Sequence, residues 1–374
     1  MRLLEITNDF PPTVGGIENY IYSLARRWVP DEITIVTRAA EGQESVDAAL
    51  GSAVHRIPAP TLLPTAALRS RVMDLLAGGR FDVVHFASAL PLALLGPRIR
   101  QETGVPYAVS LHGGEFIAGA RLLRPLMQRA LGDAAVALPV STFTQEAVLR
   151  LLEDPPPTEL VRPGVDADRF APGAPIDRAR LLGVPPEAPV ILCACRLVAR
   201  KGPATLIAGL PRILARHPAV VLAIVGDGPD RRRLERLAAK TSVAGSVRFV
   251  GARPWSSLPG YYAAADVFAL PTRERFAGLE TEGFPLVYLE AAAAGLPVVA
   301  GRAGGVNEAV VDGETGVVVD GRDVAATAEA VIALLDDRPL AGRLGSAGRL
   351  RVLRHFGWDG AVERFRTALE KHAR

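Results

Sequence analysis

The 374-residue chain has little of several features that would define its class. Aromatic residues make up only 6% of it, which argues against the aromatic stacking platforms that bind single-stranded nucleic acid. Basic and acidic residues nearly balance, 43 against 40, and neither half is basic enough to indicate nucleic-acid binding. No apolar run approaches the roughly 20 residues that span a bilayer. The N-terminus lacks the apolar segment and cleavage site of a signal peptide, so we expect a soluble or peripheral cytoplasmic protein.

Cysteine is also scarce, with only Cys193 and Cys195, both inside one apolar run. On a strand they would share a face, which is too constrained for an ordinary structural disulfide, and they lack the partners of a zinc site. We expect two small buried side chains in a reducing compartment. No acidic pair or histidine cluster follows a strand in metal-ligand spacing, so we predict that the protein binds no metal.

The sequence does contain short β-rich runs that alternate with helical periods. This alternation indicates an α/β fold with parallel sheets, because parallel neighbours need a crossover connection. The predicted strands are 3–7, 33–37, 54–57, 83–86, 107–111, 135–140 and 160–162 in the first half, and 190–195, 220–225, 247–250, 267–270, 298–300 and 317–319 in the second. A helix is predicted over 17–28, and the last stretch, 324–373, is predicted to be helical without a strand.

The alternation breaks near residue 163, where a proline-rich stretch begins. We therefore predict two Rossmann-like domains, over residues 1–165 and 166–355, whose parallel sheets face each other across a central cleft. Ligands of such sheets bind at the carboxyl ends of the strands, so the loops that follow the strands are the candidate sites.

In the first half, two of these loops contain paired glycines. Gly15 and Gly16 lead directly into a helix, where free N–H groups and the helix dipole favour an anion. A phosphate contact and a plain strand-to-helix turn are both consistent with this pattern. His112 follows the strand 107–111 and precedes two further glycines. There it could hydrogen-bond a transferring group, or it could serve the structure alone.

In the second half, Arg196 and Lys201 flank the loop that follows the cysteine-containing strand. Lysine is rare in this chain, with three residues against 40 arginines. A guanidinium and an ammonium at one strand end suit a diphosphate, although a solvated loop would have the same composition. Gly226 belongs to a second strand-to-helix turn that could contact a nucleotide, but such turns are common.

The most informative segment contains Glu282 and Glu290, with seven residues between them. A helix that begins near Phe284 would place Glu282 at its mouth and Glu290 nearly two turns inside, next to a run of alanines. A carboxylate among small residues is expected to be packed and hydrogen-bonded. Carboxylates accept well from the paired hydroxyls of sugars and ribose; an exposed helix carboxylate is the other interpretation.

Together these segments resemble the retaining, nucleotide-sugar-dependent glycosyltransferases of the GT-B fold, in the same order along the whole chain. The mark of that family is Glu-x7-Glu, here Glu282 to Glu290. Within the family the sequence looks most like the phosphatidylinositol-monomannoside α-(1→6)-mannosyltransferases, which use GDP-mannose. The segments that carry this closer match are 7–12, 91–95, 196–202 and 318–322.

The resemblance implies a role for each matched donor-site residue. Arg196 and Lys201 would neutralise the donor diphosphate and stabilise the departing GDP. Gly15 and Gly16 would bring backbone N–H groups to the same phosphates. The family has no firmly assigned protein nucleophile, so catalysis would rest on positioning and leaving-group electrostatics.

The remaining contacts to donor and acceptor follow from the same resemblance. Glu290 would hold the ribose hydroxyls, Glu282 the hydroxyls of the transferring sugar, and His112 the sugar or the leaving phosphate. The other implied positions are Gly226 and Val250 at the nucleotide and Asn8 and Asp9 at the acceptor.

Two further expectations follow from the resemblance. The family's C-terminal helix, here within 356–374, would cross back to the first domain. A lipid-linked acceptor would need a membrane-facing surface, and residues 119–131 combine apolar positions with Arg121, Arg124 and Arg129. Pro125 interrupts that segment, and a core helix is an equally good interpretation.

Three other functions stay open at the level of sequence. The first is a related transferase that uses another UDP- or GDP-linked sugar and a soluble, polysaccharide or other lipid acceptor. The second is a non-catalytic protein that binds nucleotide sugars. The third is a phosphorylase or epimerase built on the same architecture.

Overall fold

The structure, a computed structural model, describes residues 1–13, 15–113, 123–173, 176–276, 278 and 280–373. It divides the chain into two compact domains. The first contains Met1–Gly164 together with Trp358–Arg374, and the second contains Val165–Gly357. The predicted domain boundaries, after residues 165 and 355, lie one residue later than the first observed boundary and two residues earlier than the second.

The first domain is built on a six-stranded parallel sheet. Its strand order is β3-β2-β1-β4-β5-β6. The strands are β1 Leu3–Ile6, β2 Ile33–Arg38, β3 Ala53–Ile57, β4 Val83–Phe86, β5 Tyr107–Leu111 and β6 Val136–Pro139. The helices are α1 Gly16–Ala25, α2 Gln43–Leu50, α3 Ala66–Gly78, α4 Gly96–Thr103, α5 Arg124–Leu131 and α6 Thr142–Leu151, with 3-10 turns at Pro30–Glu32 and Leu92–Leu95.

The second domain repeats this architecture with the strand order β12-β11-β10-β7-β8-β9, again parallel. Its strands are β7 Val190–Ala194, β8 Val221–Val225, β9 Val247–Gly251, β10 Val267–Leu270, β11 Val298–Gly301 and β12 Val317–Val319. Its helices are α7 Arg178–Leu182, α8 Pro203–Arg216, α9 Arg231–Lys240, α10 Leu258–Ala263, α11 Leu286–Ala293, α12 Val306–Ala309, α13 Val324–Asp336 and α14 Arg338–His355, with 3-10 turns at Ala199–Lys201, Ala244–Ser246 and Trp255–Ser257. The predicted fold class, two Rossmann-like domains with parallel sheets, is confirmed.

The central strands are buried along their whole length because helices cover both faces of each sheet, and their residues are apolar except for Glu5, His85 and Ser110, which hydrogen-bond one another. Every residue of β1, β4, β5, β7, β8 and β10 is buried. Cys193 and Cys195 are free thiols at the end of β7, the first buried and the second half-buried, and their Sγ atoms lie 4.0 Å apart. Among the helices within the described ranges, none has the length and apolar character needed to cross a membrane.

One local prediction was wrong. Residues 160–162 do not form a strand, although Val161 N donates to Pro139 O at 3.0 Å. Prolines on both sides of this segment lack the N–H groups that would extend the pairing into a ladder. The helix expected near Phe284 begins at Leu286, because Pro285 occupies its N-cap in an extended conformation.

The last helix, α15 Trp358–His372, belongs to the first domain. It buries an apolar stripe against the core formed by β1 and α1. Phe365 is 1% exposed and packs edge-on against Trp28, with ring centroids 5.9 Å apart, and against His85 at 4.9 Å. At the crossing, a Cβ on Gly164 would lie 2.7 Å from the Trp358 backbone, so only glycine fits there.

This packing predicts that Phe365→Ala destabilises the first domain by about 3–5 kcal/mol, because the substitution leaves a cavity under α15. Urea unfolding followed by tryptophan fluorescence measures the change, since Trp28 and Trp358 lie in the same core. Thr367→Ala, at an exposed position of the same helix, is the control and should shift stability by less than about 0.5 kcal/mol. Equal effects of the two variants would contradict the packing role.

Candidate functional site

The decisive contact in the second domain joins two loops that are distant in sequence. Lys201 follows β7, and Glu282 lies in the loop between β10 and α11. The Nζ atom of Lys201 lies 2.9 Å from Oε2 of Glu282, although the residues are 81 positions apart. The sheet explains the contact, because β7 and β10 are neighbours and their carboxyl ends open on the same edge. The strand order also reverses between these two strands, which is where ligands of open α/β sheets bind.

The carboxylate of Glu282 has a second cationic partner. The guanidinium of Arg200 hydrogen-bonds Oε1 of Glu282, so two cations contact one carboxylate. The Glu282 side chain is 8% exposed and that of Lys201 12%, so the group is largely shielded from water. Burial, and then the neighbouring Arg200 cation, lowers the pKa of Lys201 to about 8. The cluster therefore carries excess positive charge and suits an anion at the strand ends.

Arg196 stands at the start of the same loop as Lys201, and its predicted diphosphate contact stays a prediction. Its side chain is exposed and lines a pocket of about 600 Å³ together with Arg200. Within the described residues its guanidinium makes no hydrogen bond to Glu282. Arg196 lies near enough to Arg200 that its charge contributes, after burial, to the lowered pKa of Arg200. Arg200, which stands between Arg196 and Lys201 in sequence, is a third cation of this loop and contacts the Glu282 carboxylate.

Glu290 is buried in α11, as the alanines around it indicated, with an exposure of 7%. Its Oε2 accepts a hydrogen bond from the Tyr262 hydroxyl at 2.7 Å, and its Oε1 accepts one from the Trp255 indole at 3.4 Å. Burial raises the pKa of Glu290, and these two donors oppose the rise. The expectation that this carboxylate has hydrogen-bonding partners is met by two aromatic side chains.

Gly226 and Val250 lie where β8 and β9 end. Gly226 N donates to Gly251 O at 2.9 Å, and its φ of +131° favours glycine. A Cβ at position 226 would collide with the carbonyl oxygen of Cys195, so the turn brings two strand ends into close approach. Val250 is half-buried in β9. Their nucleotide contacts stay predictions.

In the first domain, His112 follows β5 and is half-buried. Its Nε2 lies 2.9 Å from the carbonyl oxygen of Ala87, the residue after β4. The Tyr20 ring of α1 packs edge-on against the imidazole, with centroids 5.2 Å apart. Both contacts fix the ring at the carboxyl edge of the sheet, beside the point where the strand order reverses between β1 and β4.

The loop after β1 holds the predicted acceptor residues. Asn8 forms a paired contact with the backbone of Leu62: its Nδ2 donates to Leu62 O at 3.0 Å, and its Oδ1 accepts from Leu62 N at 2.7 Å. This side chain therefore ties two loops together. The Asp9 backbone N–H donates to Thr7 Oγ1 at 2.8 Å. Acceptor contacts by Asn8 and Asp9 stay predictions.

The glycine pair stands at the start of α1. Gly15 is the N-cap in an extended conformation, and a Cβ there would overlap the Glu18 side chain. Gly16 is the first helical residue, with open space where a Cβ would project. The Glu18 carboxylate of the first turn thus lies against the N-terminus of α1, and a phosphate contact by Gly15 and Gly16 stays a prediction.

The segment proposed to contact membrane is only partly described, because residues 119–122, with Arg121, lie outside the described ranges. In the described part, α5 buries Met127, Ala130 and Leu131 in the core of the domain. Arg124 pairs with Glu153 at 2.8 Å. These contacts agree with the core-helix interpretation for 124–131.

Comparison with known proteins gives the family. The description "Glycosyltransferase Family 4" matches residues 14–169, and "Glycosyl transferases group 1" matches residues 179–351. A GDP-mannose-dependent alpha-(1-6)-phosphatidylinositol monomannoside mannosyltransferase from Mycolicibacterium smegmatis is 42% identical over 95% of each chain. The chain therefore belongs to the glycosyltransferase family that these two descriptions name. The resemblance predicted from the motifs is thus confirmed.

One further relative of the glycosyltransferase agrees with this assignment, and one solved structure shares its fold. A GDP-mannose-dependent monoacylated alpha-(1-6)-phosphatidylinositol monomannoside mannosyltransferase from Corynebacterium glutamicum is 36% identical over 100% of this chain and 99% of its own. Anabaena HepE, solved in complex with UDP-glucose, superposes with a TM-score of 0.85 at 21% identity and covers 99% of this chain and 100% of its own. The second likeness supports the GT-B fold alone.

Three residues of the glycosyltransferase contact Glu282 or Glu290 but were not predicted from the sequence. Arg200 was not predicted as a site residue, although its position next to Lys201 in a loop at a strand end could have indicated it. Tyr262 and Trp255 reach Glu290 from α10 and the turn before it. No spacing rule links them to Glu290, because their proximity depends on how α10 packs against α11.

The Glu290 pocket of the glycosyltransferase yields a pH-dependent prediction. Tyr262→Phe removes the 2.7 Å hydrogen bond and leaves a buried carboxylate oxygen unsatisfied, at a cost of about 1–3 kcal/mol. The native state already binds the Glu290 proton more tightly than the unfolded state, so stability falls as pH rises through the raised pKa. The variant strengthens this effect, and its cost should be larger at about pH 8 than at about pH 5.

Urea unfolding at the two pH values measures this cost. The matched control is Tyr261→Phe, because the Tyr261 hydroxyl accepts from Arg253 Nε at 3.0 Å and no carboxylate titrates in that contact. Its cost should be the same at both pH values. A Tyr262→Phe cost that does not change with pH would refute the role assigned to the hydroxyl.

Proposed function

We propose that this glycosyltransferase moves mannose from GDP-mannose to a phosphatidylinositol mannoside, with retention of configuration at the anomeric carbon. The names of the relatives that match nearly the whole chain support this donor and acceptor. The observation that carries the proposal is the 2.9 Å contact between Lys201 and Glu282, which sets a cation beside the first carboxylate of the Glu-x7-Glu motif.

In this scheme the cationic loop stabilises the leaving group. As the bond between the anomeric carbon and the diphosphate oxygen breaks, negative charge develops on the phosphate oxygens. Lys201 and Arg196 supply the compensating charge, and Arg200 adds to it from the same loop. Each such donor contributes on the order of 2–4 kcal/mol when it is aimed at charge that develops in the transition state. The acceptor hydroxyl oxygen forms the new bond, and its proton passes to the departing phosphate.

The carboxylates position the donor. Glu282, held by its two cations, accepts from the hydroxyls of the transferring mannose. Glu290 accepts from the ribose hydroxyls, while Gly226 and Val250 face the nucleotide with backbone groups. Holding the reacting atoms in this way lowers the entropic part of the barrier.

The first domain supplies the remaining contacts in this proposal. The N–H groups at Gly15 and Gly16 bind the donor phosphates, and His112, oriented by Tyr20 and by the Ala87 carbonyl, donates to the sugar or the leaving phosphate. Asp9 touches the acceptor, and Asn8 holds the same loop in place through Leu62.

We extend the proposal to cofactor and location. Lysine and arginine provide the positive charge that a divalent metal supplies to a diphosphate in other enzymes, so the reaction is proposed to need no metal. Because the proposed acceptor is linked to a lipid, we propose that the enzyme is cytoplasmic and acts as a peripheral protein on the inner face of the plasma membrane.

The test of the function is a donor panel with the full chain. GDP-mannose and matched UDP- and GDP-sugars are supplied in buffer with EDTA, and a phosphatidylinositol mannoside is presented in phosphatidylinositol vesicles. We expect mannosyl transfer from GDP-mannose, unchanged by EDTA, and sedimentation of the protein with the vesicles. Turnover of UDP-sugars but not of GDP-mannose would eliminate the proposed donor, and release of sugar without acceptor would indicate a phosphorylase.

Replacing Glu282 separates an enzyme from a nucleotide-sugar-binding protein. Glu282→Gln should lower kcat by about 100- to 1000-fold, because the amide no longer carries the charge that orders the cations and sugar hydroxyls. Binding of GDP, measured by calorimetry, should stay within about threefold of the unchanged chain. The control is Glu314→Gln, an exposed loop carboxylate, which should keep full activity. If Glu282→Gln transfers mannose at the normal rate, the assigned role is wrong.

The lowered pKa of Lys201 predicts how activity depends on pH. Lys201 is charged below its pKa of about 8 and neutral above it. The kcat/KM for GDP-mannose should therefore fall above about pH 8, by up to about tenfold per pH unit, because the diphosphate loses a charge partner. The arginine of Lys201→Arg stays charged across this range. The kcat/KM of this variant should therefore not fall above pH 8, whatever its absolute value. A fall that persists in Lys201→Arg would assign the titration to another group.

A further inference from the structure

A strongly basic pocket lies beside the Lys201–Glu282 contact, inside the second domain. It encloses about 600 Å³ and is lined by Arg196, Arg200, Arg233, Arg273 and Arg275, with Asp230 and Glu280 as its acids. The described lining includes Arg196 but not Lys201, Glu282 or Glu290. The pocket therefore adjoins the predicted donor site and extends beyond it, toward α9 and the loop after β10.

The acids near the pocket do not balance its charge. Arg233 pairs with Asp230 at 2.9 Å, Arg275 pairs with Glu280 at 3.0 Å, and Arg200 contacts Glu282. Arg273 pairs with no carboxylate among the residues described. Its guanidinium donates to the hydroxyl of Thr205 at 3.1 Å, and its backbone N–H donates to Arg200 O at 2.8 Å.

Arg273 is also surrounded by like charge. Burial, followed by repulsion from Arg233, Arg275 and Arg322, lowers the pKa of Arg273, and the weaker attraction of Asp230 opposes this. A guanidinium that is held by neutral groups and repelled by neighbouring cations is stabilised when an anion enters. The pocket thus has the charge, the space and the fixed donors of an anion site.

The donors in the pocket select the class of anion. Planar guanidinium groups present paired N–H donors that match the oxygens of phosphate, and several of them converge here from separate elements. The donor diphosphate is assigned to Arg196 and Lys201 in the loop after β7. Arg233 lies on α9, and Arg273 and Arg275 lie in the loop after β10, so they form a second set of donors.

We propose that Arg273, with Arg233 and Arg275, binds a phosphate group in addition to the donor diphosphate. The identity of the donor as a GDP-sugar rests on the proposed function, whereas the second phosphate site rests on the pocket alone. Two sources share this chemistry: the phosphodiester of the acceptor headgroup and free inorganic phosphate.

The test uses the full chain saturated with GDP, so that the donor diphosphate site is occupied. Inorganic phosphate is titrated against chloride of equal ionic strength, and binding is followed by calorimetry. We expect saturable binding by the unchanged protein and at least about tenfold weaker binding by Arg273→Gln, with GDP affinity within about twofold. Arg236→Gln makes the same change in charge at an exposed position of α9 and should bind phosphate normally.

A second arm separates the two sources. If the acceptor phosphodiester occupies the pocket, soluble glycerophosphoinositol binds as well, and Arg273→Gln raises the KM for acceptor while the KM for donor stays unchanged. If free phosphate is the ligand, glycerophosphoinositol does not bind and the acceptor KM does not change.

The proposal would be overturned if the GDP-saturated protein bound neither phosphate nor glycerophosphoinositol. It would also be overturned if Arg273→Gln and Arg236→Gln weakened phosphate binding equally. A failure of the proposed function is read separately, from the absence of mannosyl transfer in the donor panel. In that event the binding arms are repeated with whichever nucleotide the panel identifies.

Discussion

The contact between Lys201 and Glu282 is the constraint on which the candidate donor site depends. It can form only because β7 and β10 are neighbours, so that the loops after them meet at the reversal of strand order. A buried carboxylate needs compensating charge, and a buried ammonium needs an acceptor, so each residue makes the other tolerable. Arg200 then adds a cation that the single carboxylate cannot neutralise. The attraction between these opposite charges holds the site together, and the excess positive charge that remains would be neutralised by an anionic substrate.

The same reversal organises the first domain. The loops after β1, β4 and β5 open on one edge, and they bring Asn8, Ala87 and His112 to that region of the sheet. Here the contacts are neutral: a backbone carbonyl, a paired amide and an aromatic edge. The cations that suit phosphate concentrate in the second domain, whereas the first offers helix N–H groups and a histidine. The two sheets thus have one topology and different chemistry.

Much of the fold could be predicted because the strands are short runs rich in apolar and β-branched residues and the loops carry glycine and proline. Residues 160–162 fit the same pattern but failed as a strand, since prolines around them remove ladder donors. Glu282, Glu290 and Lys201 were identifiable from residue type and spacing. Their partners were not, because Tyr262 reaches Glu290 through helix packing and Arg273 joins Arg233 through the approach of separate elements. Such pairs depend on proximity in three dimensions, which the periodicity of the local sequence does not reveal.

The first domain is built from two segments, Met1–Gly164 and Trp358–Arg374, and the second domain is inserted between them. During synthesis the ribosome must therefore release residues 165–357 before Trp358 and Phe365 can complete the core around Trp28. The second domain is contiguous and can fold as soon as it emerges, while the first waits with an open hydrophobic surface. A stop codon or a proteolytic cut near residue 357 would consequently damage the half of the molecule that was translated first.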